Sequence, residues 1–177
     1  MNRSIKKTWN IISGILVALT VLLAVLLVGA RVIGLQVFSV LSGSMEPTYH
    51  TGALIYVKKV DPYTIQAGQP ITFMLDEDTI ATHRVVAVVP DEKDPSVIRF
   101  RTKGDANAAE DGGLVHYKNV LGTPVFSIPY LGYVANYIQH PPGMYVAISV
   151  GAVLLLLLFL PDIFAEEKKT PGKKRQN

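Results

Sequence analysis

Residues 11–30 carry no charged side chain. Twenty residues at the helical rise of about 1.5 Å each cover about 30 Å, the thickness of a bilayer's hydrocarbon core. Such a run must be buried in a core, removed as a signal peptide or kept in a membrane. The basic start at Arg3, Lys6 and Lys7, and the small residues around Gly29 and Ala30, suit a signal peptide. The run is longer than the roughly 7–15 apolar residues of a secretory segment, so a retained membrane helix is the expectation.

A second apolar run covers residues 144–161, with five consecutive leucines at 154–158 and Pro161 at its end. It sits at the short end for a span. A buried core helix is the alternative, but an unbroken leucine run beside a basic tail favours the membrane. The net charge of +3 is a property of the tails. Residues 1–10 hold three basic groups, and 162–177 hold five against three acidic ones, leaving nine basic and eleven acidic in between. No basic patch with interleaved aromatics remains, which argues against a nucleic-acid partner. Basic flanks on both sides predict a multi-pass protein in the cell membrane with both termini cytoplasmic. The expected divisions are a basic N-terminus (1–10), a span (11–30), an extracytoplasmic domain (31–143), a second span (144–161) and a basic tail (162–177). The absence of cysteine excludes disulfides, thiolate nucleophiles and Cys-based zinc sites.

The middle segment reads as mainly β. Strands are predicted over 53–60, 70–75, 79–89, 97–102 and 114–120, and the apolar 32–41 is also β-prone. Glycine and proline punctuate the junctions, and no segment keeps a helical period. The spacing predicts a small all-β sandwich or barrel between two transmembrane helices.

Chemistry concentrates at three places. Ser42-Gly43-Ser44-Met45-Glu46-Pro47-Thr48 follows the first apolar run closely. It can be an ordinary Ser/Gly/Pro turn, or a turn presenting a nucleophilic hydroxyl. A serine needs a base to take its proton. Of His50, His83, His116 and His140, only His83 lies on a strand face with apolar neighbours, Ala81, Val85 and Ala87. There it is either a satisfied core histidine or a catalytic base, since an imidazole is largely neutral at neutral pH and can accept a proton. A third group must orient the imidazole. Asp105 and Asp111 both qualify, both sit in Gly/Asp turns, and the spacing does not separate them. No arrangement of histidines and carboxylates nearby completes a metal site.

Taken together, these stretches resemble the type I signal peptidases. The Ser42–Thr48 segment is similar to that family's nucleophile motif. Thr82-His83-Arg84-Val85-Val86 resembles its general-base box, and Lys103-Gly104-Asp105-Ala106-Asn107 with Asp111 resembles its acidic box. Ile128-Pro129-Tyr130-Leu131-Gly132-Tyr133 resembles the segment leading to a C-terminal anchor. The boxes stand in the family's order. Most bacterial members place lysine where His83 stands, so this chain resembles the endoplasmic-reticulum-type Ser/His branch.

The resemblance implies Ser44 as nucleophile and His83 as base. It leaves Asp111 as the preferred orienting acid, with Asp105 as the alternative. Ser42 and the Ser44 backbone N–H would form the oxyanion hole. Val40, Leu41, Ile80 and Ala81 flank these boxes as candidate pocket walls for small residues of an Ala-X-Ala site. The implied partners are preprotein signal peptides and the lipid bilayer, with possible membrane-complex subunits and no cofactor. A membrane-anchored binding module with a non-catalytic peptidase-like domain, and a Ser/Lys self-cleaving peptidase of related β architecture, are the competing readings.

Overall fold

The computed structural model describes residues 3–166, so the expected basic tail lies outside them from residue 167 onward. The chain divides into two units, Met1–Leu23 with Tyr137–Asn177, and Ala24–Asn136.

The first unit is helical. It holds most of α1 (Arg3–Ala24). Among the described residues, Lys7–Val32 is the one helix long and apolar enough to cross a membrane, by length and composition. A further helix, Gly143–Glu166, covers the expected second span. Its described apolar stretch, Gly143–Leu154, is shorter than a span, and most side chains beyond it lie outside the described ones.

The second unit opens with a π-helical turn, Val25–Gly29, and α2 (Ala30–Val32). Seven strands follow: β1 (Leu35–Ser39), β2 (Leu54–Lys58), β3 (Pro70–Met74), β4 (Ile80–Pro90), β5 (Ile98–Lys103), β6 (Leu114–His116) and β7 (Val120–Ile128). They form one sheet in the order β1-β2-β7-β3-β4-β5-β6, with every neighbouring pair antiparallel. The β-rich expectation is met. α3 (Leu131–Gln139) then corrects the expectation that no helix would interrupt this segment.

Alternation explains the core. On β5, Phe100 and Thr102 are fully buried while Arg101 between them is exposed. Ile71, Phe73, Val85 and Phe100 join Ile65 and Val115 in one cluster. Leu54 and Tyr56 of β2 meet Ala30 and Ala135 in a second, where the Tyr56 hydroxyl donates to the Leu26 carbonyl at 2.7 Å. Each large apolar side chain fully buried contributes roughly 1.5–3 kcal/mol. The first cluster makes the inner face of β4 rigid, and that face carries His83.

Candidate active site

The Ser42–Thr48 segment is a closed excursion between β1 and β2. The ladder continues one step past β1: Val40 N–H donates to the Ala53 carbonyl at 2.9 Å, and Gly52 N–H donates to the Val40 carbonyl at 2.8 Å. Within the loop, Glu46 N–H donates to Gly43 and Tyr49 N–H to Met45. Met45 is 2% exposed and plugs the turn into the protein. The acidic-box loop steadies the other side, where Ala106 N–H donates to the Ser44 carbonyl at 2.9 Å. The Ser44 hydroxyl is thus presented by a turn tied at both ends and in the middle.

His83 faces it from β4. Its cross-strand partner on β3 is Ile71, and the Phe73 ring meets the imidazole edge-on with centroids 6.2 Å apart. His83 Nε2 lies 3.2 Å from Ser44 Oγ, and His83 Nδ1 lies 2.6 Å from Asp111 Oδ2. A carboxylate against Nδ1 keeps the ring proton there and leaves the Nε2 lone pair toward the hydroxyl. Ser42 Oγ sits 3.3 Å from Ser44 Oγ. The arrangement can deprotonate a serine and hold the resulting imidazolium against a carboxylate.

A sequence profile described as "Signal peptidase, peptidase S26" matches residues 12–99, which include Ser44 and His83. The chain belongs to the signal peptidase family. Signal peptidase I W of Bacillus subtilis (strain 168) is 41% identical over 119 residues, covering 63% of this chain and 61% of that protein. The signal peptidase complex catalytic subunit SEC11C of Rattus norvegicus is 37% identical over 127 residues, covering 66% of this chain and 65% of that protein; the Homo sapiens protein matches to the same extent. The chain spans less than two-thirds of the length of these curated signal peptidases.

Within this signal peptidase fold, the two candidate acids occupy different places. Asp111 meets His83, whereas Asp105 meets Arg84: Arg84 Nε donates to Oδ1 at 2.7 Å and Nη2 to Oδ2 at 2.6 Å. The Thr48 hydroxyl also donates to Asp105 Oδ2 at 2.5 Å. The Arg84 guanidinium holds the Asp105 carboxyl below the usual carboxylate range, aided by Thr48 and opposed by burial. Val40 is half-buried in the ladder step described above. Leu41 is 72% exposed and Ile80 45% exposed. Ala81 stands opposite Phe73 and packs on the first core cluster.

Two of the other histidines have other partners. His50 pairs with Glu46, whose carboxylate also accepts from Thr51 N–H, and His116 Nδ1 accepts from Lys118 N–H. Three residues that bear on the site were not singled out from sequence: Arg84, Thr48 and Thr102. Arg84 carried a usable signal, a cation inside a strand directly after the candidate base. Thr102 carried another, a hydroxyl at an inward position of an alternating strand.

Proposed function

We propose that this chain is a membrane-bound serine endopeptidase that removes signal peptides from translocated preproteins after small residues. The observation that carries the reading is the contact series Ser44 Oγ to His83 Nε2 and His83 Nδ1 to Asp111 Oδ2, at 3.2 and 2.6 Å. In this scheme Ser44 Oγ attacks the scissile carbonyl while its proton passes to Nε2. The oxyanion accepts hydrogen bonds from Ser44 N–H and the Ser42 hydroxyl, a type of contact commonly worth about 3–4 kcal/mol in the transition state. His83 returns the proton to the leaving amine, and water then releases the acyl-enzyme. Asp111 orients the imidazole and stabilises its cation. Asp105 acts on Arg84 and Thr48 and does not touch the reacting atoms. Val40, Leu41, Ile80 and Ala81 line the small-residue pockets.

The topology belongs to the same reading. Residues 11–30 and 144–161 span the membrane, both termini are cytoplasmic, and residues 31–143 face outward. Confinement of enzyme and preprotein to one bilayer raises their effective concentration without any new contact. The curated SEC11C proteins are named as catalytic subunits of a signal peptidase complex, which favours membrane-embedded partner subunits for this chain too.

The test is cleavage of a preprotein bearing an Ala-X-Ala site by the full-length protein in lipid. Wild type is expected to cut once after the second alanine, and Ser44→Ala and His83→Ala are expected to leave the preprotein intact. Undiminished cutting by Ser44→Ala would remove the nucleophile on which the reading rests.

A further inference from the structure

We propose that Thr102 is a positioning residue of this site: its hydroxyl holds the Asp111 carboxylate in line with His83. The inference rests on the reading of Ser44, His83 and Asp111 given above.

Asp111 lies in an irregular stretch between β5 and β6, with no ladder of its own. A loop carboxylate turns freely about its side-chain bonds unless something fixes it. Thr102 fixes it twice. Its Oγ1 donates to Asp111 Oδ2 at 2.6 Å, and its carbonyl accepts from Asp111 N–H at 2.9 Å. Oδ2 is the same oxygen that meets His83 Nδ1. Thr102 is itself immobile: it is fully buried on β5 and pairs with Val85, two residues along β4 from His83. The acid on the loop is thereby referenced to the strand pair that carries the base.

The residue type matters. The other inward residues of β5 are Ile98 and Phe100, and valine would fill the same volume as threonine in that row. A fully buried hydroxyl is costly unless it is hydrogen-bonded. Here the bond goes to the carboxylate oxygen that also meets the imidazole. Oδ2 accepts from both Thr102 and the ring, so losing the hydroxyl removes one of the two contacts that hold this oxygen in place.

The experiment measures kcat and KM with the full-length protein in lipid and an Ala-X-Ala preprotein. The variants are Ser44→Ala, Thr102→Val, Thr102→Ser, Asp111→Ala and Asp111→Ala combined with Thr102→Val, each with its unfolding temperature. Thr102→Val is expected to lower kcat about tenfold to a hundredfold at unchanged KM, the range for losing a hydrogen bond to a charged group. Thr102→Ser, smaller but still hydroxylated, is expected to keep most of the activity. In the Asp111→Ala background, Thr102→Val is expected to change nothing further. A packing role gives the opposite order, with Val active and Ser impaired, and that result overturns the inference. Full additivity of the Asp111 and Thr102 losses overturns it as well. Cleavage by Ser44→Ala, or none by the wild type, instead brings down the underlying reading and the inference with it.

Discussion

Arg84 and Asp105 form a two-point ion pair, with Nε on Oδ1 and Nη2 on Oδ2. Arg84 follows His83 directly on β4, so the pair sits against the strand that carries the candidate base. Thr48, at the end of the Ser42–Thr48 loop, donates to the same carboxylate, and Arg84 Nη1 reaches the Gly68 carbonyl at 2.7 Å. One carboxylate therefore ties together the loop of Ser44, the strand of His83 and the acidic-box loop, while the other, Asp111, meets the imidazole.

Asp105→Asn is expected to lower stability rather than abolish chemistry outright. It leaves Arg84 without its counter-charge. Because Arg84 is 34% exposed, water screens part of the loss, and about 1–2 kcal/mol is the expected scale. The folded-state carboxyl titrates below its ordinary value. Its contribution is then complete above the unfolded carboxyl's value of about 3.9 and disappears as pH falls through the lower folded value. Urea unfolding of wild type and variant at a series of pH values checks this: the gap between them should be widest near neutrality and close in acid.

Asp111→Asn is expected to behave differently. An asparagine can offer its N–H to Nδ1 and favour the wrong ring tautomer, which costs about ten-thousandfold in kcat for a serine–histidine–carboxylate site. Single-turnover cleavage, alongside Asp105→Asn corrected for its folded fraction, separates the two acids. Comparable losses in both variants would remove the division of labour between them.

His83→Lys tests the base through charge. The Asp111 carboxylate lies 2.6 Å from His83 Nδ1, and an ammonium replacing the ring would be held in its charged form by that neighbour. A protonated lysine has no lone pair for the Ser44 proton. The variant is expected to be inactive near about pH 7 and to recover part of its activity only above about pH 9, as a lysine approaches its ordinary range. Combining it with Asp111→Ala should move that recovery toward neutral pH. A pH–rate series on both variants decides.

How far the sequence reveals this molecule depends on how local each signal is. β5 was readable because Ile98, Phe100 and Thr102 alternate with Arg99 and Arg101, and the Ser42–Thr48 loop because serine, glycine and proline cluster there. β7 is not legible as a strand in the sequence, since Gly122 and Pro124 look like punctuation. In the fold they are strand residues. A Cβ at Gly122 would come within 2.2 Å of the Lys58 carbonyl, and Pro124 lies opposite Val57 where the register shifts. α3 escaped for a related reason. Its buried face is Gly132 and Ala135, too small to make an apolar stripe, and a Cβ at Gly132 would meet the Ala53 carbonyl at 2.2 Å. Asp105 and Asp111 share a loop without periodicity, so only tertiary contacts distinguish them.

Gly104→Ala should damage the site without touching any reacting group. Gly104 lies beneath the Ser44 turn, where a Cβ would come 2.6 Å from the Ser44 carbonyl oxygen and 2.7 Å from Asn107 Nδ2. The first of these is backbone and cannot swing aside, so either the Ser44 turn or the 104–107 loop must move. The hydrogen bond from Ala106 N–H to that same carbonyl is strained by either movement, so the position of the Ser44 turn relative to His83 is disturbed. A displacement near 1 Å at a nucleophile costs roughly a hundredfold in rate. Gly112→Ala is the matched control, because a Cβ there meets nothing within 4 Å. Cleavage assays on the pair, with unfolding temperatures, are expected to show loss in Gly104→Ala and wild-type turnover in Gly112→Ala. Wild-type turnover in both would mean that the contact between the acidic-box loop and Ser44 does not set the position of the nucleophile.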